Sequence, residues 1–429
     1  MDLWGWRARL RLARGQTITD VMAKISALES GFGAHRNAIR VYPTPDDLAN
    51  RCELRVLDHD PHADAVPWHG PSVTSVTEPI DLGPFEDAEP CRVLFLRRHA
   101  ILGGATGSGK SGGLNELLAN LAACQDVVIW AIDLKRGVEL RPWAPCLDRL
   151  ATTPAEAAAL LADAVAILFA RAQWLADHGK REWEPSPAMP ALVIIIDEYA
   201  ELADDAPDAM SDTDTIAGLG RAPAVTLVAA TRRPTQKVMG QGAVRSQMNI
   251  RISFRVEEQR DVDLILGQGK LKAGWHAHKL NAPGKFLISS PEHDTPRRAR
   301  AYLVTDEDLT NPVARYAATR PPLDRVSRLA LAAGSLPSAP QPSGNPSPDH
   351  RAARPDDAGP GQPPAAGEQQ DPDAMLRRAL SAAPAEGLPV GDLITVTGMS
   401  RRWVFYWLRQ LAADGYAVQT VRGYWRAAR

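Results

Sequence analysis

Two clusters of residues in this 429-residue chain carry recognisable chemistry. Gly104-Ala-Thr-Gly-Ser-Gly-Lys110-Ser111 fits the pattern GxxxxGK[ST]. In such a run Gly104, Ala105, Thr106, Gly107, Ser108 and Gly109 let successive backbone N–H groups converge on phosphate oxygens, and the helix that follows adds positive potential. Lys110 is expected to contact the β and γ phosphates and Ser111 to ligate magnesium, so the expected ligand is ATP with Mg2+. The second cluster is Leu192-Val-Ile-Ile-Ile-Asp197-Glu198, an apolar run ending in two carboxylates. Asp197 is expected to hold the magnesium ion through its water shell, and Glu198 to orient and activate the attacking water. A helix-capping Asp197 is the alternative.

A third stretch, Ala229-Ala-Thr231-Arg232-Arg-Pro234, places a hydroxyl and two guanidinium groups at a strand end. Thr231 is a candidate γ-phosphate sensor, with a turn or capping threonine as the alternative. Phosphoryl transfer also needs a cation against transition-state charge, often from a neighbouring subunit. Arg221 heads the candidates, followed by Arg251 and Arg255, each of which could instead be a surface salt-bridging residue. His276 and His278 lack an acidic or Cys companion and read as loop histidines. Lys135, Lys237, Arg245, Lys270 and Lys272 fall near loops and are candidate phosphate contacts in a DNA channel, or ordinary solvated charges.

These residues require a scaffold of strands and helices. Strands are predicted over Cys91–Leu96, Ala100–Gly103, Asp126–Ile132, Ala191–Ile196 and Val225–Ala230, with a long helix over Pro154–His178. The continuous apolar runs suit strands buried on both faces of a parallel sheet, so the fold class is α/β, a doubly wound P-loop NTPase (RecA-like) domain over 91–332. Residues 1–90 read as a small α+β subdomain, with a helix over Thr19–Leu28 and strands over Ile39–Tyr42 and Cys52–Leu57. Residues 333–371, rich in Pro, Gly, Ser and Ala, read as a disordered linker. Apolar periodicity returns over 372–429, with helices over Met375–Leu380, Val390–Thr397 and Ser400–Leu411, then two β-like stretches. That order is a winged helix-turn-helix, whose third helix carries Arg401, Arg402 and Arg409 and whose terminal turn carries Arg422, the expected DNA-binding set. The same module used for protein contacts is the alternative.

The formal net charge of -2 means that nucleic-acid contact must come from local basic patches. Cys52, Cys91, Cys124 and Cys146 are scattered without metal-like spacing, which favours a cytoplasmic chain. No apolar run suits a membrane span. The start, Met1 to Arg14, alternates Trp and Leu with Arg and reads as a solvated helix, with membrane-surface contact as the alternative.

Taken in order, Gly104 to Asn115, Ile132-Asp-Leu-Lys135 through Glu139-Leu140, Ile196-Asp-Glu-Tyr-Ala-Glu-Leu202, Ala230-Thr-Arg-Arg-Pro234 and Arg251-Ile-Ser-Phe-Arg-Val256 resemble the motifs of the FtsK/SpoIIIE DNA translocases. The single motor domain and detached C-terminal unit resemble in particular the actinobacterial TraB-type conjugative plasmid transfer proteins. The resemblance implies a homo-oligomer, a hexameric ring, that threads double-stranded DNA while ATP is hydrolysed at subunit interfaces. It implies that residues 1–90 correspond to the family's α subdomain, and the C-terminal unit to its DNA-recognising γ domain. Two departures stand out. Arg232 occupies a position where the family usually has glutamine, and the family's membrane-spanning N-terminus has no counterpart, which implies a truncated or soluble form or a membrane partner protein. A protein-secretion ATPase and an ATP-gated DNA-binding regulator are the competing readings.

Overall fold

The computed structural model describes residues 4–36, 38–43, 48–232, 234, 243–293, 296–335, 372–399, 401–421 and 424–428. They form two compact units, divided between Ser338 and Ala339.

The first unit opens with β1 (Gly5–Arg11), α1 (Ile18–Met22), α2 (Ile25–Gly31), β2 (Ile39–Pro43) and β3 (Arg51–Leu57), whose strands form an antiparallel sheet ordered β1-β3-β2. The start of the chain is thus a strand and not the expected helix. Trp6, Ala8 and Leu10 are half-buried while Arg7, Arg9 and Arg11 face solvent, a period of two that belongs to a pleated strand. Trp6 and Leu10 pack on Ile39, Leu54 and Val56. The expected helix over Thr19–Leu28 is likewise two short helices, because Lys24 leaves helical geometry between them.

The large sheet is built from β6 (His99–Gly103), β7 (Val127–Ile132), β8 (Arg149–Ala151), β9 (Ala191–Ile196), β10 (Val225–Thr231), β11 (Met248–Phe254), β12 (Lys285–Ser289) and β13 (Arg297–Arg300). Its order is β13-β12-β11-β6-β10-β9-β7-β8. The strands from β11 to β8 are parallel, as expected, and the β12 and β13 edge is antiparallel, which makes the sheet mixed. The helices are α3 (Lys110–Ala123), α4 (Pro154–Asp177), α5 (Tyr199–Asp205), α6 (Met210–Leu219), α7 (Ala243–Gln247), α8 (Gln259–Leu266), α9 (Asp306–Tyr316) and α10 (Arg325–Ser335). Val127, Ile129 and Ala131 of β7 join one core with Leu114, Leu117 and Leu121 of α3. Val128, Trp130 and Ile132, pointing the other way, are equally buried, so both faces of the strand are covered.

The expected boundary at residue 90 falls inside a hairpin of β4 (Ile80–Pro84) and β5 (Pro90–Val93). Ile80, Leu82, Phe85 and Val93 of this hairpin belong to the main core. Its far end is tied down by Arg171 of α4, fully buried. That guanidinium donates to Asp324 Oδ2 (2.7 Å), Pro190 O (2.8 Å), Pro223 O (3.1 Å) and Ser327 Oγ (3.0 Å), and it lies 4.4 Å from the Trp183 ring.

The second unit contains α11 (Pro372–Ser381), β14 (Leu388–Pro389), α12 (Val390–Thr397), α13 (Arg401–Ala413), β15 (Ala417–Val421) and β16 (Tyr424–Ala427), with sheet order β14-β16-β15. Gly398 ends α12 in the left-handed region (φ 65°). Leu376, Leu380, Leu393, Val404, Leu408, Leu411 and Trp425 form its own core.

Candidate active site

The Gly104–Ser111 loop joins β6 to α3 and is pinned by three neighbouring segments. Gly104 N donates to Thr231 O of β10 (3.1 Å), Ala105 N to Arg255 O just past β11 (2.8 Å), and Gly284 N to Ser108 O (2.9 Å). Gly109 sits at φ 95°, and a Cβ there would come within 2.3 Å of Gly284 N, so only glycine fits the turn into α3. Ser108 Oγ is buried with no hydrogen-bond partner among the described residues, a polar atom that suits a ligand in the cradle. Ser111 is the second residue of α3.

The parallel strands β10, β9 and β7 lie side by side and bring the remaining groups to the same edge. Asp197, directly after β9, is almost fully buried. Lys110 Nζ lies 3.2 Å from its carbonyl oxygen and 3.5 Å from its Oδ1, while Lys135 Nζ lies 3.0 Å from its Oδ2. Burial pushes the Asp197 carboxyl up, but the two ammonium groups outweigh it and hold its pKa below the ordinary value. Burial lowers the pKa of Lys110 in turn, against the opposing pull of Asp197 and Glu198.

Glu198 is clamped. Thr231 Oγ1 donates to Oε1 (2.6 Å), and the Arg232 backbone N–H reaches both carboxylate oxygens at 3.0 Å. The Arg232 guanidinium turns away to Glu139 Oε1 (2.7 Å). Thr231, read as a phosphate sensor, thus has its hydroxyl on the carboxylate expected to act as base.

Sequence reasoning singled out the loop after β7 as a motif but gave Asp133 and Glu139 no role in the site. Asp133, fully buried, accepts from Lys135 N (3.1 Å) on Oδ1 and from Glu139 N (2.9 Å) and Leu140 N (3.0 Å) on Oδ2. This wraps the loop around one carboxylate and aims Lys135 and Glu139 at the site. Lys135, a candidate for a DNA channel on sequence, therefore sits beside Asp197 and Glu198. A carboxylate at the end of a buried strand with a lysine two residues on was the available signal.

Of these groups Lys135, Glu198 and Arg232 line a cleft of about 1120 Å³, together with Ala105 and Thr106 of the loop and with Glu257 and Asp261 on its acidic wall. Arg221 is not among them. It is exposed in the turn that precedes β10, at the opposite end of that strand from Thr231. Arg251 donates to Met248 O and Ile265 O, and Arg255 meets the cradle through its backbone. Lys270 and Lys272 lie on the loop after α8. His276 and His278 stack edge-on, and among the described residues no three His, Cys, Asp or Glu side chains gather to hold a metal. Arg401, Arg402 and Arg409 lie on α13, but their side chains, and that of Arg245 on α7, fall outside the described residues, as do Lys237 and Arg422.

Residues 79–188, which span the cradle and the Asp133 loop, match the FtsK/SpoIIIE family. The chain carries an FtsK/SpoIIIE-family domain. Relatives include a DNA translocase FtsK of Caldanaerobacter subterraneus subsp. tengcongensis, 32% identical over 224 residues, 49% of this chain and 30% of that protein. A DNA translocase SftA of Bacillus subtilis is 32% identical over 241 residues, 52% of this chain and 24% of that protein. The chain thus spans under a third of the length of these relatives. Among solved structures, the conjugation coupling protein TcpA of pCW3, a monomer form with ATPγS, shares the fold. Its TM-score is 0.52 and its identity 19%, over 73% of this chain and 90% of that one. Among the described residues, no helix is long and apolar enough to cross a membrane.

Proposed function

We propose that this chain is an ATP-driven double-stranded DNA translocase, cytoplasmic, that works as a homo-oligomeric, hexameric ring in conjugative plasmid transfer and reaches the membrane through a partner protein. The observation that carries the ATPase part is that Lys110 of the Gly104–Ser111 cradle meets Asp197, while the clamped Glu198 next to it lines a cleft together with Ala105 and Thr106 of the same cradle. The orphaned Ser108 Oγ and the glycine-only turn at Gly109 suit a triphosphate in the cradle. Ser111 and Asp197 would hold Mg2+, which supplies charge neutralisation at the β and γ phosphates. Thr231 and the Arg232 N–H fix the Glu198 carboxylate so that it takes a proton from water as the water oxygen bonds to the γ-phosphorus and the β–γ bridging bond breaks. Arg221, far from this chain's own cleft, is offered as the cation given to a neighbouring subunit.

The DNA part rests on the FtsK and SftA relatives and on the TraB-type resemblance of the sequence. In this reading the second unit is a winged helix whose α13 presents Arg401, Arg402 and Arg409, joined by Arg422, to DNA. The test is ATP hydrolysis by the purified protein with and without long double-stranded DNA, beside Lys110→Ala. Stimulation by DNA that disappears in the variant is the expected result. Assembled, folded protein with DNA-independent turnover would instead favour a protein-secretion ATPase, and DNA binding without turnover an ATP-gated regulator.

A further inference from the structure

We infer that Lys135 is a second phosphate-reading cation of this site, contacting the terminal phosphate of a bound nucleoside triphosphate from the other side of Asp197 from Lys110. The inference deepens the ATPase reading and rests on it. Lys110 and Lys135 approach different oxygens of the Asp197 carboxylate, at 3.5 and 3.0 Å, and Lys135 Nζ is also 3.9 Å from Glu198 Oε2. It lines the cleft together with Ala105 and Thr106 of the cradle. The other cations lining that cleft, Arg232 and Arg260, are paired with Glu139 and Glu258, which leaves Lys135 as the cation shared between the two carboxylates at the cradle.

The loop beneath it is built to hold its backbone still. Asp133 takes three N–H groups from the loop, and Arg136 and Gly137 turn it through positive φ values of 60° and 79°. A rigid base carrying a flexible four-carbon stem lets the ammonium head travel a few ångströms without moving the fold. A triphosphate seated on the cradle adds negative charge between Lys110 and Glu198, within that travel, and a diphosphate does not. Lys135 then exchanges part of its contact with Asp197 for the terminal phosphate, so the cleft distinguishes triphosphate from diphosphate through one side chain.

The test is nucleotide affinity, read by calorimetry with ATPγS and with ADP, for the wild type, Lys135→Ala and Lys135→Arg, with Lys110→Ala as control. Lys135→Ala is expected to weaken ATPγS by about 10- to 100-fold, the loss of one charge-assisted contact, and to leave ADP within about 3-fold. Lys135→Arg should recover most of the difference, and unchanged thermal midpoints would show the variants folded. Equal loss for both nucleotides, no loss, or tighter ATPγS binding by Lys135→Ala would overturn the assignment and make Lys135 a partner of Asp197 alone. Wild-type protein that binds neither nucleotide would overturn the nucleotide site itself, and Lys135's role with it.

Discussion

Glu198 receives three donated hydrogen bonds from two neighbouring residues, an unusual degree of constraint for a carboxylate that only needs to be solvated. Constraint of this kind serves a base that must meet a water molecule in one orientation. Glu198→Ala is therefore expected to bind ATP with near wild-type affinity and to hydrolyse it about 100- to 10,000-fold more slowly, measured by single-turnover hydrolysis. Normal turnover in that variant would remove Glu198 from the chemistry. A second residue-scale effect concerns stability. His99, at the start of β6, is buried, and its Nδ1 accepts from Leu227 N (2.9 Å), which requires the neutral ring. Burial, with the charge of Arg221 adding to it, pushes its pKa down from 6.5 to about 4. Between those values the unfolded chain binds the proton and the folded chain does not. Stability is thus full above pH 6.5 and falls as pH drops toward 4, by ~3 kcal/mol for this group. Denaturant unfolding at pH 7 and at pH 5 should show about 2 kcal/mol of that fall, and His99→Asn, which keeps an acceptor but cannot titrate, should show a smaller one.

At the scale of elements, Arg171 joins α4 to the segment that opens α10 through Asp324 and Ser327. Removing the guanidinium leaves the buried Asp324 carboxylate, still held by Ser327, without its counter-charge and takes a donor from the carbonyls of Pro190 and Pro223. Arg171→Met should therefore cost about 3–5 kcal/mol in equilibrium unfolding, and adding Asp324→Asn should return part of it because the stranded charge is gone. Additive losses in the double variant would show that the pair is not coupled. Elements differ in how plainly the sequence announces them. β7, β9 and β10 are continuous apolar, β-branched runs because both of their faces are buried, and such runs are legible without a partner. β13 reads Arg-Arg-Ala-Arg and looks like a solvated loop. Its charges find partners far away in the chain, Arg297 on Asp87, Arg298 on Glu86 and Arg300 on His62 O, and no local pattern reveals them. β1 was open to the same local reading, but its Trp and Arg alternation fits a strand better than the helix it suggested. The site shows the same divide. The cradle is legible because its geometry is made by consecutive residues, whereas the roles of Lys135 and Glu139 depend on β7 lying beside β9 and on a pairing of Glu139 with Arg232 across the sheet edge.

For the whole molecule, the decisive feature is that, among the described residues, the core clusters of the first unit and the core of the second share no buried residue. The core of the first unit is closed by α4 and α10 before residue 336, and the second unit surrounds Leu393, Leu408 and Trp425 with its own helices and three-stranded sheet. Truncation after Asp371 removes no described side chain from the cores of the first unit, so the shortened protein is expected to keep its thermal midpoint and its ATPase activity. If translocation belongs to the first unit, long double-stranded DNA should still stimulate that activity, since the contact it needs is with phosphates and carries no sequence information. On the proposed reading, in which the second unit reads base edges, what should disappear is preference among DNA sequences. Competition binding against a pool of random duplexes, with full-length and truncated protein in parallel, measures this directly. Enrichment of the same sequences by both proteins would place sequence reading in the first unit. Loss of DNA stimulation on truncation would make the second unit the means by which the motor is loaded onto its substrate.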